Sequence, residues 1–173
     1  MDNQNEIKLS RVERLLLSNQ YRILEGMYPD EAEQYEQSRK AIEEGFELHY
    51  EDCFSILSED VMTSEECKEV INILSMYRAI EFSNRDYGID EYYVKFRGFD
   101  LNDEYESKRV MYARYFINDL DRFEELKYGN VYADCNSHSK MMSRYKRMLE
   151  VWDSMDNRHK LTEADIRLII NAG

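Results

Sequence analysis

Apolar residues recur along this chain mostly at steps of three and four, the repeat of helices with one buried face. Ser10 and Glu13 form a capping box, in which hydroxyl and carboxylate each bond the other residue's backbone N–H. Beyond it Val12, Leu15, Leu16, Ile23, Leu24 and Met27 mark one face of a helix that Tyr28-Pro29-Asp30 ends, since proline cannot continue the ladder. A second helix is predicted from Asp30, with Ala32, Tyr35 and Ile42 inward and Gly45 as a left-handed cap. Glu47 to Leu57 reads as a separate short helix. A third starts at the Thr63/Glu66 box, buries Cys67, Val70, Ile71, Leu74 and Tyr77, and stops before Asn84.

The pattern breaks between Asp86 and Asp100. Tyr92, Val94 and Phe96 alternate with Tyr93, Lys95 and Arg97, which is period two and predicts a short strand or extended arm. Asp100 is then placed to cap a long helix to Lys127 carrying Val110, Met111, Tyr115, Phe116, Leu120 and Phe123. Tyr128 to Ser139 is a polar loop. A helix from Ser139 to Met155 has Met141, Tyr145, Met148, Leu149 and Trp152 as its stripe. The last helix begins at Thr162, with Leu161 stapled to Ile166 and with Ile169 and Ile170 on the same face. No repeat or Pro/Ser-rich linker interrupts this order. The fold expected is therefore all-α, a single-domain bundle of about six helices over 9–173, with one extended element near 91–97. Residues 1–8 read as an acidic, flexible extension.

Composition sharpens that picture. In 173 residues there are 14 Tyr and 7 Phe but only 6 Gly and 1 Pro, which suits an ordered, helix-rich globule. Thirty-six acidic against 23 basic residues leave a net charge of −13. The acids come in scattered pairs such as Glu43-Glu44 and Glu124-Glu125, as on solvated helix faces. Direct nucleic-acid binding is not expected, because the only basic cluster is Lys140, Arg144, Lys146 and Arg147. No apolar run resembles a leader or approaches a membrane span, so a cytoplasmic protein without membrane partners is expected. The three cysteines, Cys53, Cys67 and Cys135, form no CxxC pair and read as free thiols.

Five blocks of sequence resemble the YfbU family. They are the helix from Glu13 to Leu24, Met76-Tyr77-Arg78-Ala79, the turn Phe96-Arg-Gly-Phe-Asp100, the stretch Tyr145 to Trp152, and the ending from Leu161-Thr-Glu-Ala-Asp165 to Ile169-Ile-Asn-Ala172. They come in the family's order and cover roughly residues 9 to 172. The resemblance implies a helical domain, bacterial and cytosolic, that forms a homo-oligomer. It implies no particular activity and brings no catalytic residues with it.

Among polar residues, Asn19 stands out because it falls within the apolar stripe of the first helix, between Leu16 and Ile23. A buried amide needs partners or costs about 1–3 kcal/mol. It either fixes packing or, with Gln20 and Tyr21, lines a ligand or partner groove. The natural neighbours of such a groove are Arg97, Phe99 and Asp100, whose alternative role is a capped helix start. Cys135 and His138 share a loop with Asp134, but no orienting residue or metal-ligand spacing accompanies them. No phosphate loop, HExxH or Glu-x-x-His occurs, and Asp100-Leu-Asn102-Asp103-Glu104 has Tyr105 where a calcium loop needs Gly. No cofactor or metal is expected. The leading expectation is a non-enzymatic interaction or regulatory protein that self-associates through a Tyr-rich surface and the 86–100 arm. The alternatives are an acidic, antitoxin-like partner of a basic or nucleic-acid-binding protein and, third, a hydrolase using the 128–139 loop.

Overall fold

The computed structural model describes residues 7–58, 60–127 and 134–173. The expected extension at 1–8 lies, as far as Glu6, outside the described residues, as does the 128–133 part of the polar loop. The described chain is helical, as the periodicity predicts, and contains no strand. It divides between Val61 and Met62 into two compact units, at a point where the sequence shows no linker.

In the first unit, α1 (Arg11–Met27) and α2 (Ala32–Glu44) make a hairpin. The Ser10/Glu13 box starts α1, and Gly45 ends α2 with φ +79°. The short helix expected over 47–57 is instead a pair of 3-10 turns, Glu47–His49 and Glu51–Phe54. The hairpin is joined mainly by polar groups. Arg14 donates from Nε to the Ile42 carbonyl at 2.7 Å and from Nη2 to that of Glu43 at 2.6 Å, a cation on the orphan carbonyls of a helix end. Glu43 also accepts from Ser18 at 2.7 Å and from Arg22 at 2.9 Å, while Arg39 bridges Glu25 and Glu43.

The second unit holds α3 (Ser64–Asn84), α4 (Glu104–Arg114), α5 (Met142–Asp153) and α6 (Glu163–Ala172). Its core is apolar and continuous, from Val70 on α3 to Ile170 on α6. Tyr77, Phe96, Phe99 and Tyr145 form an aromatic knot at its centre, with ring centroids 5.5–6.0 Å apart.

Three expectations change here. Tyr92–Val94 is a 3-10 turn, not a strand; the extended pairing lies further on, as a single parallel bridge between Phe99 and Asn136. Asp100 does not cap the fourth helix. Asp103 does, its carboxylate accepting from the N–H groups of Tyr105 and Glu106 at 3.2 and 3.0 Å, while Asp100 closes a local turn to the Asn102 N–H. The helix expected to reach Lys127 ends at Arg114 and passes into a π turn, Tyr115–Asp119. The extra residue per turn rotates the face beyond it, so Ile117 is buried while Leu120 is exposed; Met111 and Tyr115, expected in the stripe, are exposed as well.

Candidate functional site

The turn 97–100 and the loop 134–139 meet in the second unit. Phe99 donates to the Cys135 carbonyl, and Ser137 donates to that of Phe99, both at 2.9 Å. Gly98 makes this approach feasible: its φ is +82°, and a Cβ there would lie 2.1 Å from the Cys135 carbonyl oxygen. Tyr145 on α5 donates its hydroxyl to the Gly98 carbonyl at 2.8 Å. The Asn136 side-chain oxygen accepts from the N–H groups of Leu101 and His138, both at 3.2 Å. Cys135 and His138 hold left-handed backbone, φ +58° and +54°, stabilised by this crossing.

Beneath the crossing lies Glu106, a carboxylate only 2 % exposed. It accepts from the N–H of Asp100 at 2.8 Å, of Met141 at 2.8 Å and of Met142 at 2.7 Å. Helix α5 has no capping side chain of its own, so Glu106 of α4 supplies the anion at its N-terminus. Arg109, one turn on and equally buried, donates to Glu69 at 2.8 and 3.1 Å and to the Tyr105 carbonyl at 2.6 Å. Sequence reading passed over both residues because a charged pair on a helix reads as a solvated face. The available signal was their spacing with Val110, Ala113 and Ile117, which is one helical stripe.

Of the sequence candidates, Arg97, Phe99 and Asp100 therefore sit together. Phe99 is fully buried, and the Arg97 guanidinium stacks 3.7 Å over the Tyr92 ring. Along the 86–100 arm Val94 and Phe96 are buried and Arg144 stacks 3.6 Å over Tyr93, while Tyr87 and Tyr92 are exposed. The Cys135 thiol is buried and its pKa is pushed up to about 11, mainly by desolvation, which opposes the thiolate a nucleophile needs. His138, by contrast, is exposed. Among the described residues no three His, Cys, Asp or Glu side chains are placed to hold a metal ion.

Asn19, Gln20 and Tyr21 lie in the first unit. Asn19 is in the apolar stripe, as its spacing predicts, but it is exposed, and the buried polar residue of α1 is Ser18. The reason is that the stripe faces away from α2. Val12, Leu15, Leu16, Ile23 and Met27 are 67, 62, 59, 53 and 62 % exposed. Toward α2 the helix instead turns Arg14, Ser18, Tyr21 and Glu25. Tyr21 donates to the Cys53 carbonyl at 3.4 Å, and burial pushes its phenol up to about 12. Asn19 lines a shallow groove with Arg11, Arg14 and Arg22, beside the stripe.

The described part of the chain contains no helix long and apolar enough to cross a membrane. The helical order, the crossing of the 97–100 turn with the loop before α5, and the two capping boxes at Thr63 and Thr162 all lie within residues matched by one family model, described as the YfbU domain. That match runs over residues 7–172, through both compact units, and the chain belongs to the YfbU family.

Proposed function

We propose that this protein is a non-enzymatic interaction protein that self-associates, and that α1 is its docking face. The observation that carries the reading is the uncovered apolar stripe on α1. An amphipathic helix ordinarily turns its apolar side to its own core. Here ions, hydrogen bonds and a few ring and aliphatic contacts join the hairpin, and most of the apolar stripe is left outward. Contiguous apolar surface of this kind marks a protein interface. The reading sets the docking surface on the first helix; along the 86–100 arm Val94 and Phe96 are buried while Tyr87 and Tyr92 remain exposed. At the crossing in the second unit, polar groups are committed to one another and the thiol is held protonated, which favours binding over chemistry. The reading includes no cofactor.

Light scattering at micromolar concentration tests the proposal. The expected mass is a multiple of the 20.9 kDa chain. A single-chain mass across tens of micromolar would refute it.

A further inference from the structure

We infer that the stripe on α1 is covered by α1 of a second copy of this chain, helix against helix, with Asn19 next to the two-fold axis. The inference rests on the self-association proposed above and names its surface. Val12, Leu16, Asn19, Ile23 and Gly26 succeed one another at steps of four, three, four and three, which is the seam of a helix pair. The residues opposite that seam, Arg14 and Tyr21, are those that α2 holds. Within the first unit α2 therefore leaves the seam open along the helix, about 25 Å at 1.5 Å per residue.

Charge points to a second copy as occupant. The chain carries −13, so most approaches of one copy to another are repulsive. The seam itself bears no charge, and three of the charged side chains beside it are engaged within the unit. Arg22 is paired with Glu43, Arg14 is set on the carbonyls ending α2, and Glu13 accepts the Ser10 N–H at 2.7 Å. Two copies thus meet here at the least electrostatic cost. A strongly basic partner would find no free acidic counter-charge along the seam.

Two further features fit. Among the described residues, the first unit buries only Ala41, Ile42 and Tyr50 as apolar side chains, so a second copy on α1 would add apolar burial that its hairpin lacks. Asn19 is the one polar residue of the seam. A single amide in a helix seam fixes register by pairing with its counterpart, and near a two-fold axis the counterpart is the other Asn19. Gly26 ends the seam with nothing within 4 Å of a Cβ built on it, so no contact within the chain calls for glycine there, whereas a close neighbouring backbone would.

The test uses the full chain in two arms. Sedimentation equilibrium compares the wild type with Leu16→Glu, a substitution at a position already exposed in the single chain. The expected result is a wild-type dimer at micromolar concentration and at least a 100-fold weaker association in the variant, with its helical circular dichroism unchanged. In a Cys53→Ser/Cys67→Ser background, Asn19→Cys is then oxidised mildly beside a control, Glu33→Cys, on exposed α2. Covalent dimer should form from Asn19→Cys well ahead of the control. A wild-type dimer that survives Leu16→Glu, or equal cross-linking of the two cysteines, overturns the α1 pairing and leaves self-association standing. If Leu16→Glu does not fold, the cross-linking arm decides alone. A wild-type monomer overturns both.

Discussion

Glu106 shows how much one side chain can organise. Its two oxygens satisfy N–H groups from the 97–100 turn and from the first residues of α5, elements that no backbone ladder joins. Replacing it with glutamine turns an NH₂ group toward those donors, and buried donors left without an acceptor are costly. Glu106→Gln should lower unfolding free energy by about 3 kcal/mol, measured by urea titration. A loss below about 0.5 kcal/mol would mean that water replaces the carboxylate readily. The capping carboxylates make a different prediction. Hydrogen bonds from Thr63 hold the Glu66 carboxyl below its ordinary range, and Thr162 does the same for Asp165. A carboxylate with a depressed folded pKa binds fewer protons when folded than when unfolded. Its stabilising effect is complete above the unfolded values, about 4.3 for Glu and 3.9 for Asp, and is lost as pH falls through the lower folded value. The urea midpoint should therefore drop as pH is taken from 5 toward about 2, and Glu66→Gln should flatten that slope. An identical slope in the variant would show that the box at Thr63 does not contribute.

Elements were legible in the sequence where local chemistry alone decides them. The boxes at Ser10 and Thr63 start α1 and α3 as expected, α6 follows Thr162 as expected, and the left-handed glycine at 45 ends α2. The end of α4 was not legible. No glycine or proline lies between Tyr115 and Phe123, yet the chain passes through a π turn and holds Asp121 and Phe123 at φ +50° and +56°. Tertiary packing imposes that path: Phe123 is buried under the Arg78 guanidinium, which stacks 3.8 Å from its ring. Periodicity likewise identified which residues of α1 share a face but not which way the face points. Asn19 therefore had the right register and the wrong surroundings. Gly26, at the end of that face, gives a prediction at this scale. With open space around it, alanine costs the single chain nothing in packing and removes glycine's extra unfolded-state freedom. In the Leu16→Glu background, Gly26→Ala should raise stability by about 0.5–1 kcal/mol, seen as a higher urea midpoint. In the wild type the same change crowds the helix pair and should weaken association. A gain in both backgrounds would indicate that no backbone passes close to Gly26.

At the scale of the molecule the two units differ in what stabilises them. The second has a continuous apolar core from α3 to α6, with Tyr77 and Tyr145 fully buried. Among its described residues the first has three buried apolar side chains and a largely polar joint, and surface ion pairs of that kind contribute roughly 0–1 kcal/mol each. Hydrophobic burial is the main favourable contribution to folding, so the first unit lacks most of what the second has. A partner that binds only the folded hairpin stabilises it in proportion to the logarithm of its concentration. Opening of α1 and α2 should therefore depend on protein concentration, while opening of α3 and α5 should not. Hydrogen exchange followed by mass spectrometry at about 1 and 100 times the dimer dissociation constant separates the two cases, with an expected gain of about 1 kcal/mol in the first unit only, because dimerisation depletes the free chain. Leu16→Glu should abolish the gain. If both units gain alike, a partner stabilises the whole chain as one cooperative body; if neither does, the hairpin is stable without a second copy, and the outward stripe on α1 does not contribute to its stability.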